Sequence, residues 1–530
     1  MTPKSKWAFL GLLVLFLFIA LYQVNAVISY YPTRDEGVSL YGAVRIINGD
    51  IPYKDFFHLT TPGAIWFLAP AFRIFWENLV VARVLYLFFG LILFVTIFMT
   101  TLRLTKNPLL SLIPASLYFL LDICAFLNFT PHIPAISLAA LGIFLLCDFT
   151  GPVSAVLSGL AISLSFLMSQ NIGAFTVMGS ILILSAAGWQ KGNPLKIIAV
   201  FLLSFSIPVI GLLVYLGLHG ALKEFIYDCF IWTVTRYADF NAYPYLYSGM
   251  LGAGEALRSL VRGEKIGFNI MVIGSLIAVG FLPLVLFPFF ICTSYIQNEW
   301  RTWAASIGGL SIFVSSSNRP DYLHLLHVMP FVLILSFSFI HSLANDLTRS
   351  GKKLLSIPLT VLVLPIAFWT IEGGLFLRDM ASLNMKALKT ERGNVEMSPD
   401  EYAVRSKLFN YIETHVPAGG ELYVIHWSPE IYFFTGRKNP TPFDIYKPIY
   451  YSKAQSEKIL VRLEKSKPRI VIHDDFIAGF FKPMSKTSLT FPFVDRLSLK
   501  TQDFIKPFIL RHYVPGEEIG TYTVYVRKEP

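Results

Sequence analysis

The sequence predicts an α-helical polytopic membrane protein with a small α/β domain at its C-terminal end. Three observations carry this. Hydrophobic residues make up 54% of the chain and charged residues 15%, against roughly 25% charged in an ordinary soluble protein. Mean hydropathy is +0.58, and apolar runs long enough to span a bilayer recur through the first 376 residues. Beyond residue 377 the pattern changes to polar, alternating helix and strand.

The runs predict about eleven spanning helices of roughly 20 residues or somewhat less. They fall at 7–27, 79–102, 109–127, 133–147, 153–168, 172–188, 195–218, 270–296, 302–314, 322–340 and 354–376. The first, preceded by Lys4 and Lys6, is too long for a signal-peptide core and lacks a small-residue cleavage site, so it predicts an uncleaved anchor. The run 61–75, with two prolines and Arg73, is too short to span and is expected at the interface or re-entrant. The expected division is a membrane module over 1–376 and an α/β domain over 377–530. The module has a first outer loop at 28–78 and a long outer loop at 219–269.

Basic residues orient the chain. A cytoplasmic N-terminus puts Arg103/Lys106, Lys191/Lys196, Arg301 and Arg349/Lys352/Lys353 inside, and leaves the short loops 128–132 and 169–171 outside without Lys or Arg. An odd number of spans then places the tail outside with both longer loops. The expected setting is a cell membrane, with the C-terminal domain extracytoplasmic.

In the tail, 400–414 predicts a helix capped by Ser398, 421–426 a strand, 428–434 a short helix ended by Gly436, and 452–465 an amphipathic helix. Strands follow at 469–473 and 521–526. The net charge of +10 is dispersed, which suits topology and anionic headgroups and excludes a nucleic-acid stripe. Four cysteines, Cys124, Cys147, Cys229 and Cys292, imply neither a disulfide framework nor a metal knuckle.

Chemistry-bearing residues concentrate on the outer side. Arg34-Asp35-Glu36 sets adjacent carboxylates just after the first span. A carboxylate there can take the proton of an acceptor hydroxyl or amine, with Arg34 or Arg45 offsetting its desolvation. The plainer reading is an acidic first turn of a helix. Ser317-Asn318-Arg319-Pro320-Asp321-Tyr322-Leu323-His324-Leu325-Leu326-His327 opens a later span, with Asp321, His324 and His327 spaced for one helix face. Arg319 suits a phosphate anion; the alternative is a snorkelling arginine. Asp122, inside an apolar run, is a site candidate by default. Asp55, His58, Asn128, His132, Gln170 and Asn171 are candidates to hold a divalent cation with Asp35, without any zinc spacing. The long loop is basic (Lys223, Arg236, Arg258, Arg262, Lys265) and tyrosine-rich (Tyr237, Tyr243, Tyr245, Tyr247), which suits a solvated interfacial loop first and a cover over a lipid phosphate second.

The run RDEGVSLYGAVRIINGDIPYKDFFHLTTPGAIWF resembles the first outer loop of GT-C glycosyltransferases. It is most similar to bacterial members related to protein O-mannosyltransferases and lipid A aminoarabinose transferases. The matching features are Asp35-Glu36, then Gly49-Asp50-Ile51-Pro52-Tyr53-Lys54-Asp55-Phe56, then Pro62-Gly63. The resemblance implies a polyprenyl-phosphate sugar as donor and a cell-envelope acceptor. Asp35 would be the base, with Glu36 as the alternative, and single displacement would invert the anomeric carbon. The candidates for substrate contact are Arg34, Arg45, Tyr53, Asp55, His58, Asp122, His132, Arg319, Asp321 and His324. No organic cofactor follows, and a divalent cation is used by some members only. Two other functions compete. A transporter or flippase would need polar residues through the midplane, where Asp122 stands almost alone. A non-catalytic assembly protein would leave Asp35-Glu36 idle.

Overall fold

A computed structural model describes residues 3–528 apart from 125–126, 148–150, 192–193, 238–244, 246–253, 255, 264, 318, 351–355, 383, 447–450 and 476–503. The apolar runs form helices α1 (Pro3–Val27), α4 (Leu79–Thr105), α5 (Pro108–Tyr118), α6 (His132–Cys147), α7 (Pro152–Met168), α8 (Gln170–Lys191) and α9 (Pro194–Leu218). They continue in α11 (Ile266–Leu276), α12 (Leu282–Ile296), α13 (Trp300–Ser315), α15 (Met329–Ser350) and α16 (Ser356–Ala381). A π-helical turn, Ile277–Phe281, joins α11 to α12; each expected run is largely helical, and among the described residues five of these helices are long and apolar enough to cross a membrane. One boundary moves. The run expected from 322 divides at residues 327–328 into a single turn, α14 (Tyr322–Leu326), capped by Asp321, and α15.

Between α1 and α4 the first loop is helical. Thr33 caps α2 (Arg34–Ile47) by accepting from the Glu36 N–H, with Asp35 and Glu36 in its first turn. The 61–75 run yields α3 (Gly63–Phe75), 13 residues long and too short to span. A Cβ on Gly63 would lie 2.4 Å from the Leu167 carbonyl oxygen. The glycine of Pro62-Gly63 is therefore what lets α3 meet the end of α7.

The described first part of the long loop is helical and packed. It begins as α10 (Leu222–Ile226) and continues through π turns Tyr227–Ile231 and Thr233–Tyr237. Trp232 is driven into an aromatic core with Phe57 of the first loop and Tyr423, Phe443 and Tyr451 of the tail. Tyr243 and Tyr247 lie outside the described residues; the Tyr245 hydroxyl donates to the Gly280 carbonyl.

In the tail, the expected helices appear as α17 (Pro399–His415), α18 (Glu430–Thr435) and α19 (Lys453–Ser466). Ser398 caps the first, Gly436 at φ 64° ends the second, and a Ser452/Gln455 capping box starts the third. The strands are β3 (Tyr423–Ile425), β4 (Ile470–Asp474) and β6 (Tyr522–Arg527), joined by β5 (Tyr513–Ile519) after α20 (Lys506–His512). The sheet runs β3-β4-β6-β5, with β3 and β4 parallel and the other pairs antiparallel. A hairpin, β1 (Lys386–Thr390) and β2 (Gly393–Met397), precedes it. Its Glu396 bonds to Ser29 and Tyr31, at the end of α1.

Candidate active site

The site is built around the start of α2. Successive helical residues point about 100° apart, so Asp35 and Glu36 cannot share an environment. Glu36 is fully buried and paired with Arg83 of α4: Nη2 donates at 2.9 Å and Nε at 3.3 Å, and the Phe129 N–H adds a third bond at 3.0 Å. Arg83 also donates to the Val27 and Ile28 carbonyls that end α1. Both carboxylate oxygens of Glu36 are thus engaged in the scaffold, and this geometry does not suit the alternative role of Glu36 as base. Asp35, one residue earlier, is exposed.

Arg34 donates to Asp474 at 2.7 Å and to the Trp427 carbonyl at 3.0 Å, tying α2 to the tail. Arg45 is buried near the other end of α2. It bonds Asp50 and Asp444 at 2.8 Å each and the carbonyls of Thr441 and Asp55, with its guanidinium 4.7 Å above the Phe56 ring. These contacts turn Arg34 and Arg45 toward protein partners rather than toward a ligand. Charge pairing across the fold, invisible in a linear chain, is the reason.

A second group assembles at residues 316–328. Asp321 caps α14, accepting from the His324 N–H at 3.1 Å, from His324 Nδ1 at 2.7 Å and from Arg319 Nε at 2.9 Å. Burial opposes its charge, but the His324 bonds and the Arg319 guanidinium together hold its carboxyl well below the usual carboxylate range. His132, at the start of α6, stacks on His327 with centroids 4.8 Å apart and meets His324 edge-on at 5.6 Å. Burial pushes the His327 ring well below the ordinary histidine range. Segment 128–132 also reaches α2, because Thr33 donates to Asn128 at 2.7 Å and Phe129 bonds Glu36. This short loop is therefore the common neighbour of the Asp35 turn and of the Arg319–His327 group. Asn318 lies outside the described residues.

The other first-loop candidates are placed differently. Tyr53 is buried at φ 71° and donates to the Thr60 carbonyl at 2.7 Å. Asp55 is exposed and accepts from the Ile51 N–H at 2.8 Å. His58 is buried against Thr60 (3.1 Å), and burial pushes its ring down to about 4. The His58 backbone N–H donates to Asp228, whose carboxyl burial pushes up to about 8, with the His58 bond acting the other way. Gln170 accepts from Thr61 and donates to the Leu59 and Cys229 carbonyls, so it clamps the first loop to the long one. Among the described residues no three His, Cys, Asp or Glu side chains converge as a metal site. The cation set expected from Asp35, Asp55, His58 and His132 is not assembled.

Asp122 is buried in a π turn, Phe119–Ile123, that continues α5. Tyr86 lies within electrostatic reach of both Asp122 and Glu36. Two residues escaped the sequence reading although the rule that flagged Asp122 covers them. Arg83 and Glu372 both stand in apolar runs. Glu372 falls near Tyr322 and Ser275, whose hydroxyls are 2.8 Å apart.

No protein-family model matches the chain, and no curated protein matches it by sequence. Solved structures do match. ArnT from Cupriavidus metallidurans bound to undecaprenyl phosphate is 12% identical with a TM-score of 0.55, covering 97% of this chain and 98% of that one. The same protein in its apo state is 13% identical with a TM-score of 0.57, covering 98% of each chain. The chain is thus a helical membrane protein that shares the fold of ArnT over 97–98% of its length.

Proposed function

We propose that this chain is an inverting membrane glycosyltransferase that moves a sugar from a polyprenyl-phosphate carrier to a cell-envelope acceptor on the outer face. One observation carries the reading. Asp35 is an exposed carboxylate on a helix turn held from both sides, by Glu36–Arg83 toward the membrane helices and by Arg34–Asp474 toward the tail. A general base needs such a fixed backbone and a side chain exposed enough for an acceptor to reach. In this reading Asp35 takes the acceptor proton as the acceptor oxygen or nitrogen attacks the anomeric carbon. The bond to the carrier phosphate breaks from the opposite side, and the phosphate leaves as an anion. Arg319, oriented by Asp321, and His324 are the groups assigned to receive that phosphate. The N-terminus is assigned to the cytoplasm and the tail to the outside, by the distribution of Lys and Arg.

Asp35→Asn tests the base. Envelope glycans and glycolipids from cells carrying the variant are compared by mass spectrometry, with membrane abundance followed by immunoblot. The expected result is loss of the modified product by about 10²- to 10⁴-fold at unchanged abundance. Full product from Asp35→Asn overturns the assignment and favours a carrier role, for which Asp122 is the sensitive position.

A further inference from the structure

The helix bundle holds a cavity that the transfer reaction does not use, at the end which the Lys and Arg distribution assigns to the cytoplasm. α8, α12 and α13 are pinned together near their middles. A Cβ on Gly179 of α8 would lie 2.0 Å from Ser311 Oγ of α13, and one on Gly309 of α13 would lie 2.4 Å from the Phe287 ring of α12. At its start, roughly 14 Å along the axis from Gly309, α13 carries Trp300 and Trp303 instead of glycine. Their rings stack with centroids 5.5 Å apart. Glycine at the middle and bulk at the end splay the helices. A cavity of about 710 Å³ opens between them, lined by Leu182, Ser185, Ser294, Ile296, Trp300 and Trp303 among others. The two serine hydroxyls donate to the Ile181 and Phe290 carbonyls of their own helices, so the wall they share presents carbon. The turn from α12 to α13 closes one edge. Asn298 takes the left-handed conformation at φ 58°, and the Glu299 N–H donates to the Ser294 carbonyl at 2.8 Å. Glu299 and Arg301, on either side of Trp300, put one charge of each sign at that edge.

We propose that this cavity binds one zwitterionic phospholipid of the cytoplasmic leaflet, with an acyl chain between α8 and α12, its phosphate on Arg301 and its ammonium toward Glu299. The volume lies in the range of built small-molecule sites, about 300–1,000 Å³. Tryptophans gather at the membrane–water boundary, so the charged edge falls at headgroup level and the apolar wall at acyl-chain level. Leu182 is 57% exposed and Ile296 78%; they leave the cavity open toward the bilayer, the direction from which a chain enters. A wall whose serines are already bonded suits hydrocarbon rather than a polar solute. A guanidinium holds phosphate oxygens well, and an acid beside it selects a headgroup with an ammonium over a purely anionic one. The inference is independent of the glycosyl-transfer reading.

The test is native mass spectrometry of the full-length protein, stripped of lipid in detergent and titrated with a phosphatidylethanolamine or with a phosphatidylglycerol of the same chains. The wild-type chain is expected to retain one phosphatidylethanolamine, at least tenfold more tightly than phosphatidylglycerol. Ala186→Trp, which fills the cavity from α8, is expected to abolish that retention, and Arg301→Gln to weaken it about tenfold. No retained lipid in the wild type, equal retention by Ala186→Trp, or no preference between the two headgroups overturns the proposal. If Ala186→Trp aggregates on size exclusion, Arg301→Gln decides: weaker retention supports the site, and unchanged retention overturns it.

Discussion

At the residue scale, adjacent Asp35 and Glu36 do opposite work because a helix separates neighbours by about 100°. Removing one partner of the buried Glu36–Arg83 pair strands a charge, which costs about 3–5 kcal/mol. Arg83→Met is therefore expected to lower thermal stability severely, whereas Asp35→Asn leaves it close to wild type; unfolding of both in detergent checks the split. A pH prediction rests on Asp228 and His58. Asp228 titrates near 8 in the fold against roughly 3.9 unfolded, so its contribution is full below about pH 4 and is lost as pH rises through 8. His58 titrates near 4 against roughly 6.5 unfolded, so its contribution is full above about 6.5 and is lost as pH falls toward 4. Asp228→Asn should match the wild type at the acid end and gain stability relative to it progressively toward pH 8. Parallel thermal melts across that range test this, and a gap that does not widen with pH sinks it.

At the element scale, α2 is positioned by contact with the tail as much as by its own cap. A Cβ on Gly37 would sit 2.8 Å from the Glu430 N and 3.0 Å from the Glu430 Cβ. The glycine lets α18 close over the first turn of α2. Gly37→Ala is expected to cost about 1–3 kcal/mol, as overpacking does, and to lower transfer along with stability because the turn carrying Asp35 must shift. A thermal melt together with a product assay measures both. The π turns carry a related point. Asp122 and Asp228, both buried, each stand in one, where the widened ladder re-aims a side chain that a regular helix would have turned elsewhere.

At the scale of the whole molecule, the first loop, the long loop and the tail share one aromatic core through Phe57, Trp232 and Tyr423. The tail also supplies the acids for Arg34 and Arg45 and the Asn439 N–H that Tyr41 accepts. A chain ended after residue 382 loses all of these partners and keeps a buried arginine without Asp444. It is expected to elute as aggregate on size exclusion, in contrast to the full-length protein; a monodisperse peak would show that the membrane helices hold α2 unaided.

The spans, α2, its acidic first turn and the capped helices of the tail were legible from residues 1–530 alone, because hydropathy, caps and breakers act over a few neighbours. Arg83 and Glu372 were equally legible as charges in apolar runs. The hairpin 386–397 and β5 were not: one is mixed polar and the other carries Pro515 and Gly516, and only pairing across the sheet makes them strands. Above all, the sequence determined that Asp35 and Glu36 open a helix beside the membrane. Which of the two is buried was decided by the tertiary structure, because Arg83, Phe129 and Asp474 lie tens to hundreds of residues away and only the closed fold brings their charges and donors to the α2 turn.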